Sequence, residues 1–197
     1  TEGNGEKMAV DGYGDLKLRR VAIINHVDAW SELIAQAFEA KFKKLGGTVV
    51  AHESALPSAT DYRTQILKAK VANADAIYFP LLPPANGIVA LQARQLGFKG
   101  MFLSGDSILQ DEIDAAKGAA EGMYYTTVYA DNTKTLLEKY KTKYAADPTD
   151  IVFVSFGYDG IRTLLAAYDI AQADGSSLRD ALTRVSINGA GSPINMN

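Results

Sequence analysis

The sequence predicts an α/β fold of the flavodoxin-like kind: a doubly wound parallel sheet, followed by helices that do not continue it. Three observations predict this. Short apolar runs alternate with amphipathic stretches about five times between residues 20 and 129. Glycines stand where amphipathic stretches end, at Gly46, Gly47 and Gly97. After residue 129 the alternation stops, and three helical stretches follow with no strand between them. Alternation of this kind calls for a parallel sheet covered by helices on both faces. The strand order expected is 2-1-3-4-5.

The elements follow in order. The run Arg20–Asn25 is short and rich in β-branched residues, as a buried parallel strand requires. Over residues 29–45 the apolar positions Trp30, Leu33, Ile34, Ala37, Phe38 and Phe42 recur at helical spacing, and Gly46 and Gly47 end the helix. Residues 48–54 read as the second strand. The next helix spans 60–71 and is capped by Thr60 or Asp61. A third strand is expected over 75–80, a helix over 86–96, a fourth strand over 100–103 and a short helix over 108–115. A fifth strand is expected over 123–129. Beyond it lie a Lys- and Tyr-rich helix at 134–145, a turn at Asp147–Thr149, a longer apolar helix at 153–173 and another helix at 178–185. The glycine-rich tail, 189–197, reads as irregular.

Composition narrows the function. The 197 residues are 47% hydrophobic, enough to bury a core for one domain or somewhat more. A net charge of -3 gives none of the basic excess that nucleic-acid binding needs. The absence of cysteine excludes a disulfide framework and a thiolate metal site. No apolar stretch has the length of a membrane span. Residues 1–5 are polar and glycine-rich, unlike a signal peptide, so the expectation is a cytosolic chain or the mature part of an exported one.

Open parallel sheets bind ligands at the carboxyl ends of their strands. Four loops are selected by that rule: 25–30, 52–57, 81–86 and 104–108. In the fourth, Asp106 can pair with a ligand ammonium or cap the helix that follows, and one carboxylate can do both. Trp30, the single tryptophan, offers a flat apolar face and one donor at a cleft edge, or packs on the core face of its own helix. The loop containing Leu81, Leu82, Pro83 and Pro84 is apolar, suiting either a ligand wall or a cover over the sheet. His26 and Asp28 follow the first strand, and His52 and Glu53 follow the second. A metal or an acid–base pair could be built from them, but their spacing matches no established ligand motif, and loop-end histidines at a surface are far commoner. Gly3, Gly5, Gly12 and Gly14 follow no strand and so fail the context of a dinucleotide fingerprint. Neither G-x-x-x-x-G-K nor G-x-S-x-G occurs.

Taken together, several stretches resemble one family. They are Arg20–Ile24, the helix end Glu39–Leu45 with its two glycines, and Thr60, Asp61 and Tyr62 opening the next helix. Asn73–Tyr78, Gly87, Leu91–Gly97, Glu121 with Gly122, and Gly157–Asp159 add to them, as does Gly191–Ile194, which is similar to a hinge-return segment. In order and spacing over nearly the whole chain these resemble the leucine/isoleucine/valine-binding-protein family, the type I periplasmic solute-binding proteins of ABC transporters.

The resemblance implies a piece that lacks most of the N-terminal lobe. Residues 1–129 would be the second, ligand-binding lobe, 130–189 helices of the partial first lobe, and 190–197 the hinge return. It implies an amino-acid-like ligand held between two lobes by hinge closure, a membrane permease as partner, an extracytoplasmic location, no cofactor, no metal and no bond-making chemistry. The family's aromatic after the first strand falls on Trp30, and its acidic grip on the ligand ammonium falls on Asp106. Its frequent tyrosine after the third strand is replaced by Leu82, which makes that wall more apolar. The late helices would need cover from the missing lobe or from another chain. Two rival readings are a ligand sensor of a signalling protein with the same fold and, less favoured, a small flavodoxin-like enzyme using His26, His52 or Asp106.

Overall fold

A computed structural model describes residues 2–105, 108–127, 133–191 and 193–196. The chain divides into two compact units, Thr1–Thr127 and Val128–Asn197.

The first unit holds five strands: β1 (Arg20–His26), β2 (Thr48–Ala55), β3 (Ala76–Phe79), β4 (Met101–Ser104) and β5 (Tyr124–Tyr125). They form one sheet in the order β2-β1-β3-β4-β5, and every neighbouring pair is parallel. This is the 2-1-3-4-5 arrangement expected from the alternation. Side chains on successive residues of β1 point to opposite faces, so each face collects its own core. One core joins Ala22, Ile24, Ile77, Phe79 and Phe102 to Ile66 and Ala69 of α3 (Arg63–Val71) and Val89 and Ala93 of α4 (Ala85–Gln95). The other joins Val21, Ile23, Tyr78 and Leu103 to Ile34, Phe38 and Phe42 of α2 (Ala29–Lys44) and Met8 and Ala9 of α1 (Glu2–Gly14). Because both faces are covered, β1 and β3 are almost wholly buried and carry continuous apolar runs. A short helix α5 (Gln110–Ala116) packs on α4, and a Cβ on Gly87 would collide with the carbonyl of Glu112.

Helix α1 occupies a stretch for which the sequence predicts no element. Gly5 is the reason it docks: a Cβ there would run into the carbonyl oxygen of Ile34, so only glycine lets the two backbones approach this closely. Two further details depart from expectation. Helix α3 begins after Tyr62 and lacks a side-chain cap, although Asp61 accepts the Arg63 N–H at 3.0 Å. Strand β5 spans two residues, far fewer than the seven expected over 123–129, of which 128 and 129 lie outside the described residues.

The second unit contains α6 (Thr133–Tyr144), α7 (Ile151–Asp174) and α8 (Leu178–Leu182). Asp150 caps α7 by accepting the N–H groups of Val152 and Phe153, and Gly175 closes it with φ of 72°. A small cluster of Ala167, Ala181 and Val185 joins α7 to α8. The expected irregular tail is instead an antiparallel hairpin of β6 (Ser186–Asn188) and β7 (Pro193–Asn195), so residues 186–188 also leave the helical set. The carboxylate of Asp159 accepts the N–H groups of Ala190 at 2.7 Å and Gly191 at 2.9 Å, anchoring the hairpin turn to α7. The opposite face of α7 exposes Phe153, Phe156, Ile161, Leu164, Leu165 and Tyr168.

Candidate functional site at the carboxyl edge of the sheet

The carboxyl ends of β1, β3 and β4 lie side by side in the sheet, which brings loops far apart in sequence to one edge. Asp28 caps α2: its Oδ1 accepts the N–H of Trp30 at 3.0 Å and of Ser31 at 2.9 Å. That cap fixes the first helical turn and with it the indole. Trp30 is half-buried against the α2 face of the core, and its outer ring edge reaches the end of β4. A Cβ on Gly105 would press on Pro80 Cα at 3.3 Å and lie in ordinary contact with Trp30 Cη2 at 3.5 Å, so Gly105 sits directly between the two.

Ser31 ties the first loop to the third. The N–H of His26 donates to Ser31 Oγ at 2.9 Å, and the same hydroxyl donates to the Pro80 carbonyl at 2.5 Å. Leu82, two residues beyond Pro80, is 43% exposed on this edge, and a cis peptide joins Pro83 to Pro84. The Gly105 carbonyl accepts both the N–H and the hydroxyl of Thr126, at 3.1 and 3.0 Å.

Trp30 and the Pro80–Leu82 loop therefore stand at the edge where the sequence places them. Asp106 lies outside the described residues. Of the four residues His26, Asp28, His52 and Glu53, the first two lie 4.0 Å apart, but His52 and Glu53 turn to other partners. His26 is buried and bonds Tyr62, His52 bonds Glu39 and Asn25, and Glu53 pairs with Lys68 at 2.7 Å. Among the described residues no cluster of three or more His, Asp or Glu could hold a metal.

Sequence reasoning missed Ser31, Asn86 and Glu112. Asn86 returns both bonds of the Leu81 backbone, accepting its N–H at 3.2 Å and donating to its carbonyl at 3.0 Å. It also donates to Glu112 Oε1 at 2.6 Å, while Glu112 Oε2 accepts the N–H of Leu109 at 2.8 Å. Glu112 is 2% exposed; burial pushes its carboxyl above the ordinary range, against the downward pull of those two bonds. The glutamate three residues after a helix cap was a readable signal, hidden because Leu109 is not a capping side chain.

Comparison with known proteins fits this geometry. An amino acid binding protein of Pseudomonas aeruginosa is 27% identical over 166 residues, covering 81% of this chain and 44% of that protein. The leucine-, isoleucine-, valine-, threonine-, and alanine-binding protein of the same organism is 27% identical over 182 residues, 89% of this chain and 48% of its own length. The solved structure of a leucine binding protein from Thermotoga maritima superposes with a TM-score of 0.84 at 31% identity, covering 98% of this chain and 57% of that one. The chain thus spans about half the length of the relatives it matches. With a family match running over residues 6–197, it belongs to the periplasmic binding protein family.

Proposed function

We propose that this chain supplies one wall of the ligand cleft in an extracytoplasmic solute-binding component of an ABC importer. The ligand is a small amino acid or close analogue with an apolar side chain. Closure of two lobes about a hinge traps it, and the closed form is handed to a membrane permease without bond-making chemistry. The observation that carries the reading is the meeting of Trp30, Pro80 and Gly105 at the carboxyl edge of a parallel sheet, where such folds hold ligands. The names of the relatives, which bind leucine and other amino acids, support the ligand class.

In this reading Trp30 and Leu82 form the apolar wall, and Asp106 holds the ligand ammonium. Residues 1–129 are the second lobe, 130–189 return to the first, and 190–197 form the hinge return. The division into units at residue 127 and the uncovered apolar face of α7 both support that assignment. A helix face of this kind requires a cover, which the remaining length of such a protein would supply.

The test is a titration of amino acids into the full-length protein and its Asp106→Asn variant. Asparagine keeps the size and much of the capping capacity of aspartate but not its charge. The expected loss is about 1.5–3 kcal/mol of binding energy, the range of a hydrogen bond to a charged group. Unchanged affinity for an α-amino acid would end the ammonium role of Asp106.

A further inference from the structure

We propose that Glu112 is a positioning residue for the cleft: through Asn86 and Leu109 it clamps the loop after β3 to the start of α5 and so fixes the apolar wall that carries Leu82. The proposal rests on the ligand-binding reading above.

The clamp is one unbroken chain of hydrogen bonds. Asn86 holds the N–H and the carbonyl of Leu81, the residue beside Leu82. Its remaining amide hydrogen goes to Glu112 Oε1, and Glu112 Oε2 takes the Leu109 N–H. Both carboxylate oxygens face donors, so the ionised form satisfies every group in the chain. Close approach of α4 and α5 at Gly87 leaves no slack between the two helices.

A carboxylate sealed at 2% exposure is costly to fold, because burial opposes its charge more strongly than its bonds repay it. Neutralising a purely structural residue of this kind should leave ligand affinity alone. Neutralising a positioning residue should loosen the wall while leaving stability nearly intact. Glu112→Gln separates the two roles. Glutamine removes the buried charge, but its amide turns a donor toward the amide of Asn86 or toward the Leu109 N–H, and the chain breaks. Asn86→Ala cuts the same chain from its other end: the N–H and the carbonyl of Leu81 lose their side-chain partner, and Glu112 Oε1 loses its donor.

The experiment uses the full-length protein in the parent, Glu112→Gln and Asn86→Ala forms. Backbone amide exchange at Leu81 and Leu109 reads the clamp without any ligand, and calorimetric titration with the proteinogenic amino acids reads the site. In Glu112→Gln, exchange at both amides should accelerate at least about ten-fold, affinity should fall about five-fold, and the melting temperature should stay within about 3 °C. Asn86→Ala should speed exchange at Leu109 as well as at Leu81 and lower affinity by a similar factor, because the chain couples the two loops. Unchanged exchange in Glu112→Gln overturns the clamp, whatever the binding. Faster exchange with unchanged affinity, in a protein whose parent binds an amino acid, overturns the positioning role alone. A parent that binds none of the amino acids sinks the ligand reading and this role with it, while the exchange data still report whether the loops are coupled. If Glu112→Gln does not fold, faster Leu109 exchange with weaker binding in Asn86→Ala supports the clamp; parent-like exchange at Leu109 or parent-like affinity refutes it.

Discussion

His26 Nε2 and the Tyr62 hydroxyl share a 2.8 Å hydrogen bond at the end of β1. The Tyr62 hydroxyl also lies 3.0 Å from the Ala59 carbonyl. The other ring nitrogen of His26, Nδ1, is buried 4.0 Å from Asp28 Oδ2, and among the described residues neither atom has a hydrogen-bond partner. Burial lowers the imidazole pKa, and the nearby Asp28 charge only partly offsets it. Burial also pushes the Tyr62 phenol up to about 12.

His26 therefore makes stability depend on pH in a defined direction. A group whose folded pKa is depressed contributes stability above its unfolded value, about 6.5, that is lost as pH falls through the folded value. Chemical denaturation between about pH 7.5 and pH 5 should show the parent losing more stability than His26→Gln. Glutamine keeps a donor for Tyr62 but does not titrate. Parallel pH profiles would show that His26 is not the group responsible.

Gly5 and Gly3 sit two residues apart in α1 and should respond oppositely to alanine. Around Gly3 nothing lies within 4 Å of a new Cβ, so Gly3→Ala should stabilise by about 0.5 kcal/mol through helix propensity. Gly5→Ala drives a methyl into the Ile34 backbone and should cost about 1–3 kcal/mol. Urea melts of the two variants measure the difference; equal effects would mean that α1 is not docked on α2.

Asp159 is the anchor of the second unit. Replacing it with alanine strands the buried N–H groups of Ala190 and Gly191, at a cost of about 2–4 kcal/mol for the pair. Amide exchange at Ala190 and Gly191 should rise steeply in Asp159→Ala, with exchange in β1 unchanged. Retained protection at both amides would contradict the anchoring role.

Much of this architecture was legible because burial on both faces writes itself into the sequence. The runs at β1 and β3 are unbroken apolar segments, and the helical stripe of Ile34, Phe38 and Phe42 shows which face of α2 meets them. Helix α1 was not legible, because the glycine that lets it dock also argues locally against a helix. The β6–β7 hairpin escaped notice because strands of three residues are too short to display a period. At the site, strand-end position pointed to Trp30 and Leu82. It also grouped His26 with His52, although the register pairs Ile23 with His52 and His26 with Ala55. A hydrogen-bond chain such as that of Asn86 and Glu112 joins residues 26 apart and leaves almost no local pattern.

The most direct measurement is calorimetric titration of branched-chain amino acids into the full-length protein and its Trp30→Ala variant. The indole meets Gly105 at the cleft edge and is only half-buried, so its removal should weaken binding about ten-fold or more while the cap from Asp28 keeps α2 folded. Tight binding by the parent and that loss in the variant are the expected results. Equal affinity in the two proteins, or no binding of any amino acid by the parent, would contradict a ligand cleft at this edge of the sheet.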